Sequence, residues 1–171
     1  MSAIALVVAI ADNGVIGDRG KIPWRIADDM KFFKAVTLGK PIIMGRKTWD
    51  SLPKKPLPGR TNIVVTRDRD FTAPDAVVVH SFDEAIAAVA GVDEIAIIGG
   101  VDIYKAALPK ASRIYLTEVH RDFEGDARFD FDRTGWREIS REKRTTPEGL
   151  HYSFVALERG PSPAFAKAAK P

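Results

Sequence analysis

The sequence predicts an α/β domain: a central, mostly parallel twisted sheet with helices on both faces and an antiparallel hairpin at its end. Three observations predict it. Short apolar, β-rich runs alternate with stretches of helical period; those runs are apolar on successive residues, as strands covered on both faces must be. The last two runs flank a turn rather than a helix.

Ile4–Ile10 reads as the first strand. The wider run Ala3–Ala11 has no Lys or Arg before it and is too short to span a bilayer, so neither a secretion signal nor a membrane segment is expected. Ala27–Thr37 is the first helix, with Ile26, Met30, Phe33 and Val36 on one stripe at about 100° per residue. Pro41–Met44 is a strand, Thr48–Leu52 a short helix, and Pro53–Gly59 a stiff proline-rich loop. Strands Asn62–Thr66 and Ala76–Val79 follow. Ser81-Phe82-Asp83-Glu84 is a capping-box pattern that starts a helix over Phe82–Ala90. Glu94–Ile98 is a strand, Val101–Leu108 a helix and Arg113–Val119 a strand. Trp136–Arg144 and Leu150–Arg159 flank Thr-Pro-Glu-Gly, and the second run alternates, so an antiparallel hairpin is expected. The domain spans residues 1–159, and 160–171 is a Pro/Ala/Lys tail with no apolar face.

Composition narrows the function. Hydrophobic residues make up 45% and charged residues 29% of the chain, which excludes wholesale disorder. The net charge of +3, with no aromatic-basic stripe on the strands, argues against a nucleic-acid module. There is no cysteine, hence no disulfide framework or thiolate nucleophile, which agrees with a reducing cytoplasm. His80, His120 and His151 lack metal-ligand spacing, so no metal is expected, and no nucleophile elbow supports a Ser/His/Asp triad.

Several residues could carry chemistry. Asp29 falls inside the apolar stripe beside Met30 and Phe33, whereas Asp28 points away, toward the side of Lys31. A carboxylate on such a stripe needs a partner. That partner can be a backbone group, an arginine or a ligand, and a place in the helix's first turn is a further alternative. Met44-Gly45-Arg46-Lys47-Thr48 and Ile98-Gly99-Gly100-Val101 each put glycine where a strand gives way to a helix, a place that attracts anions. Neither is the G-x-G-x-x-G fingerprint. Thr66-Arg67-Asp68-Arg69 follows a strand at its carboxyl end, where open sheets bind ligands. Arg60 sits in a turn before that strand, where its fork of donors could clamp a carboxylate. One acid among apolar neighbours and several anion sites suit a bound redox cofactor better than a hydrolase.

Together these segments resemble dihydrofolate reductase of the bacterial chromosomal type, over about residues 3–159. The motifs that carry the resemblance are Ala9-Ile10-Ala11, Gly14-Val15-Ile16-Gly17, Ile22-Pro23-Trp24, Asp29 with Phe33, Met44 to Trp49, Leu57-Pro58-Gly59-Arg60, Ile98-Gly99-Gly100 with Tyr104, and Gly125-Asp126. The resemblance implies reduction of 7,8-dihydrofolate to tetrahydrofolate, with hydride from NADPH reaching the pterin C6 and a proton reaching N5; this feeds one-carbon metabolism. It implies that Asp29 holds the pterin, with a water near Trp24 delivering the proton and Ile22 in the loop over the site. Val7 and Val8 would line the pterin site, and Thr117 would join Asp29 through water. Met30, Phe33, Leu52 and Leu57 would flank the benzoyl ring, and Arg60 would clamp the glutamate α-carboxylate with Lys34 nearby. Ala9, Ile16 and Gly17 would touch the nicotinamide, under a closing loop Gly17–Ile22. Gly45, Arg46, Lys47 and Thr48, with Ile98, Gly99, Gly100, Val101, Asp102, Ile103 and Tyr104, would hold the pyrophosphate region across a cis Gly-Gly peptide. Arg46, Thr66 and Arg67 would take the 2′-phosphate, with His80 near the adenosine end.

The sequence departs from the family pattern at Val101, where a third small residue is usual, and at Lys54-Lys55, which lengthens a loop by one residue. The resemblance further implies a cytoplasmic monomer that binds dihydrofolate and antifolates, and neither nucleic acid nor membrane. A different NADPH reductase of this fold, such as the pyrimidine reductase of riboflavin synthesis, is the alternative; the pterin pattern from Asp29 to Phe33 speaks against it.

Overall fold

The computed structural model describes residues 2–160, and the expected tail lies outside the described residues apart from Gly160. Eight strands form one sheet, in the order β5-β4-β3-β6-β1-β7-β10-β9. Six of them run parallel: β5 (Val77–Val79), β4 (Asn62–Val65), β3 (Ile42–Gly45), β6 (Glu94–Gly99), β1 (Ala3–Ala11) and β7 (Arg113–Val119). β10 (His151–Arg159) pairs antiparallel with β7, and β9 (Trp136–Thr145) antiparallel with β10. The fold class and the closing hairpin agree with the sequence reading.

β1 lies at the centre because its side chains are apolar on both faces. Leu6 and Val8 pack with Ala85 of α3 (Phe82–Ala88) and with Tyr104 and Ala107 of α4 (Val101–Ala107). Val7 packs on the other face, near Phe33 and Val36 of α1 (Ala27–Thr37) and Trp49 of α2 (Arg46–Ser51). Parallel neighbours require a crossover, and each crossover helix covers one face of the sheet. Ser81 caps α3 as expected, accepting from the Glu84 N–H at 3.0 Å. Glu84 reaches back to the N–H of His80 rather than to that of Ser81.

Most boundaries moved by one or two residues. One of these shifts matters for the site: α2 starts at Arg46 rather than Thr48 and so draws both cations into the helix. The structure adds a two-stranded ribbon that the sequence reading does not contain: β2 (Val15–Gly17) pairs antiparallel with β8 (Ala127–Arg128). Both strands are too short to show an alternation. No helix among the described residues is long and apolar enough to cross a membrane.

Candidate active site

The parallel strands end on one edge, and the residues singled out in the sequence gather there and along α1. α1 begins at Ala27 and leads into the buried β3, so it runs back across the sheet face with Asp29 in its first turn. The Thr117 hydroxyl on β7 donates to Asp29 Oδ1 at 2.6 Å. This bond is direct, not through water as expected, because the β1–β7 register sets Thr117 beside Ala9 on the face that α1 covers. Burial raises the Asp29 pKa above its usual 3.8, and the Thr117 bond opposes that rise. A half-buried carboxylate with one oxygen held and another free can accept paired N–H donors from a ring amine and its neighbour.

Asp28 is bound to the hairpin. Its Oδ2 accepts from Arg144 Nη1 at 2.9 Å and from the Tyr152 hydroxyl at 3.3 Å, fastening α1 to the hairpin. Met30, expected within the buried stripe, is 66% exposed. Phe32 turns inward instead, stacking on Phe154 at 4.4 Å. Alternation along β1 also separates Val7 from Val8: only the Val7 side chain faces the α1 side, leaving Val8 its backbone for any role there.

Phe33, Leu52 and Leu57 pack around the cluster that contains Val7 and Ile98, forming an apolar wall beyond Asp29. At the other end of α1, Arg60 Nη1 donates to Thr37 Oγ1 at 3.1 Å and Nε to the Pro58 carbonyl at 2.9 Å. Burial lowers the Arg60 pKa, and its remaining donors have no partner among the described residues. Asp29 and Thr37 are eight residues apart on α1, a separation of about 12 Å. A flat polar ring at one end and a carboxylate at the other fit that spacing. Lys34 is exposed on the same helix.

Trp24 is buried against Phe123, with ring centroids 5.2 Å apart, and its Nε1–H has no partner among the described residues. Ile22 lies in the adjoining loop, 58% exposed. Asp18 and Lys21 exchange backbone hydrogen bonds of 2.7 and 2.9 Å around Arg19 and Gly20, both at positive φ. Asp126 Oδ1 accepts from the Arg19 N–H at 3.2 Å. A Cβ on Gly125 would strike the Gly17 carbonyl and Val15, so only glycine allows this approach.

At the carboxyl edge the two glycine turns converge. Gly99–Gly100 is a cis peptide, as the resemblance implied. A Cβ on Gly45 would lie 3.3 Å from Ile103, with Gly100 N at 3.9 Å, and one on Gly100 would lie 3.7 Å from Thr48 Oγ1. The Tyr104 hydroxyl donates to the Val7 carbonyl at 2.7 Å, and burial raises its pKa. α2 has six residues and α4 seven, so an anion here meets glycine backbone and side-chain donors rather than a long helix dipole. Lys47 and Asp102 are exposed on this edge; Val101 is half-buried. Arg67 is exposed after β4, while His80 Nδ1 lies 2.9 Å from the Thr66 carbonyl. Arg46 is not free: it pairs with Asp68 at 3.1 Å and with Asp50 at 3.8 Å. Ile16 is partly buried and packs against the core cluster that contains Val8, Tyr104 and Phe129.

Known proteins agree with this arrangement. The sequence model of the dihydrofolate reductase family matches residues 3–159. The dihydrofolate reductase of Neisseria gonorrhoeae is 50% identical over 157 residues, covering 91% of this chain and 97% of that one. Dihydrofolate reductase type 3 of Salmonella typhimurium is 42% identical over 159 residues, 91% and 98% of the two chains. The solved structure of dihydrofolate reductase from Enterococcus faecalis, complexed with NADP(H) and RAB-propyl, superposes with a TM-score of 0.86 at 31% identity, covering 93% and 97%. With fold and sequence in agreement over nearly its whole length, the chain belongs to the dihydrofolate reductase family.

Proposed function

We infer that the protein reduces 7,8-dihydrofolate to 5,6,7,8-tetrahydrofolate with NADPH. The observation that carries this is Asp29, a carboxylate set among apolar groups and held by Thr117 at one end of a helix whose other end carries Arg60. Asp29 accepts two hydrogen bonds from the pterin's amino group and adjacent ring nitrogen, and so fixes the ring and raises its basicity. Val7, the Val8 backbone, Met30, Phe33, Leu52 and Leu57 line the substrate's path. Arg60 clamps the glutamate α-carboxylate, with Lys34 beside it. The buried indole N–H of Trp24, without a partner among the described residues, supports a water there as the route by which a proton reaches N5.

The residues of the carboxyl edge fit the dinucleotide, because the glycines of both turns lie where a Cβ would crowd neighbouring atoms. When bound, NADPH supplies the hydride. Ala9, Ile16 and Gly17 form the floor and rim at the nicotinamide end, and the loop to Ile22 excludes water. Gly45, Lys47, Thr48 and the segment Ile98–Tyr104 hold the pyrophosphate region. Arg46, Thr66 and Arg67 take the 2′-phosphate, and His80 borders the adenosine. The domain is residues 1–159. The protein works as a cytoplasmic monomer open to antifolates, a reading that the absence of cysteine supports for the compartment. Mixing the protein with NADPH and dihydrofolate, and following the nicotinamide absorbance band, tests the activity. Loss of that band in the presence of dihydrofolate is expected. No loss with dihydrofolate, alongside turnover of a ribityl-phosphate pyrimidine, would support the other reductase.

A further inference from the structure

Asp68 stands in the middle of the edge assigned to the 2′-phosphate, and it is an acid. Its Oδ2 accepts from Arg46 Nη1 at 3.1 Å. Its Oδ1 accepts from the Asp70 N–H at 2.9 Å, and its own N–H donates to Thr66 Oγ1 at 3.2 Å. Both carboxylate oxygens are engaged, so the charge is fixed by its own turn rather than free to swing away. Arg46 is held in turn, its guanidinium 4.6 Å from the Phe71 ring and 3.8 Å from Asp50.

We propose that Asp68 is a specificity-determining residue of the cofactor site: it occupies Arg46 as a resident counter-anion and so narrows the preference for a 2′-phosphate over a 2′-hydroxyl. The proposal rests on the assignment of Arg46 and Arg67 to that phosphate. Arg46, Arg67, Asp50 and Asp68 carry charges that cancel. An incoming phosphate with close to two negative charges must therefore share the Arg46 donors with a carboxylate already bound there. Guanidinium has enough N–H groups for both anions, but the repulsion between them persists. A neutral 2′-hydroxyl feels almost none of it. Asp68 thus weakens one cofactor selectively and costs the other little.

Asp68→Asn tests this, because asparagine keeps the Oδ1 acceptor for Asp70 and removes only the charge. The probes are adenosine 2′,5′-bisphosphate and 5′-AMP, with dissociation constants measured by calorimetry at low salt and no turnover involved. The bisphosphate should bind about three- to tenfold tighter to the variant, with 5′-AMP changed by less than about twofold. The gap should close as salt rises. Asp68→Ser, whose hydroxyl can serve the same turn, should repeat the result if the first variant folds poorly. Unchanged or weaker bisphosphate binding, or an equal gain for both probes, would overturn the proposal. Arg46→Ala and Arg67→Ala separate it from its premise. If they weaken the bisphosphate while Asp68→Asn does not tighten it, only the role of Asp68 falls. If they leave the ratio of the two probes unchanged, the phosphate assignment itself falls, and the proposal with it.

Discussion

The hydroxyl of Thr117 donates to Asp29 across 2.6 Å, tying the strand β7 to the first turn of α1. This bond stabilises the charged carboxylate, against burial that favours the neutral form. Thr117→Val removes the donor at nearly constant volume. A hydrogen bond to a charged group contributes about 1.5–3 kcal/mol, so kcat/KM should fall roughly ten- to a hundredfold. With the opposing bond gone, the Asp29 pKa should rise further, moving the pH profile of kcat/KM upward. A profile that stays in place would show that the hydroxyl does not act through Asp29.

Asp29 also bears on stability. The folded state holds its proton more tightly than the unfolded chain does, since burial raises the folded pKa. The associated stability is complete below the unfolded value and is lost as pH climbs through the folded one. Asp29→Asn should therefore melt at a higher temperature than the parent at neutral pH. The difference should shrink on acidification, and thermal unfolding at several pH values checks it.

Arg60 is expected to recognise the tail of the substrate rather than to take part in chemistry. Arg60→Leu should raise the KM for dihydrofolate roughly ten- to a hundredfold, the worth of a charge-assisted pair, and leave a tail-less pterin almost unaffected. Because Arg60 also braces Thr37 and Pro58, a small loss of thermal stability should accompany it. Equal losses of KM for both substrates would count against the clamp.

The path of the loop that follows β2 depends on Gly125, where any side chain would meet the Gly17 carbonyl. Gly125→Ala must push β2 and the following loop aside, so hydride transfer should slow while substrate binding in the ground state changes little. Stopped-flow rates set against equilibrium dissociation constants separate the two.

Arg67 is exposed after β4, with no ion-pair partner among the described residues. Arg67→Ala should weaken NADPH by roughly ten- to a hundredfold and leave NADH almost unchanged, and the gap should shrink with added salt. Steady-state kinetics with both cofactors decide it.

Much of this was legible in the sequence because burial on both faces marks the parallel strands, and glycine marks the turns where β3 and β6 end. Asp29 stood out because a carboxylate among Ile26, Met30 and Phe33 calls for a partner. The phase of that helix was readable only in part. Phe32 and Phe33 are adjacent and both apolar, and the sequence could not show that Phe154 would draw Phe32 inward and leave Met30 on the rim. The Asp28–Arg144 pair joins residues 116 apart and carries no local signal. The β2–β8 ribbon has three residues on one side and two on the other, below the length at which alternation can be seen. The Arg46–Asp68 pair joins two different turns, 22 residues apart, and likewise carries no local signal.

The central claim is that Asp29, not its neighbour Asp28, positions and polarises the pterin. Its most direct test is the single-turnover rate of hydride transfer, measured across pH for the parent, Asp29→Asn and Asp28→Asn. Asp29→Asn should lose most of the rate at neutral pH and recover part of it in acid, where the substrate takes its proton from solution. Asp28, whose carboxylate is spent on Arg144 and Tyr152, should leave the rate nearly intact when changed. A crippled Asp28→Asn beside an active Asp29→Asn would contradict the assignment.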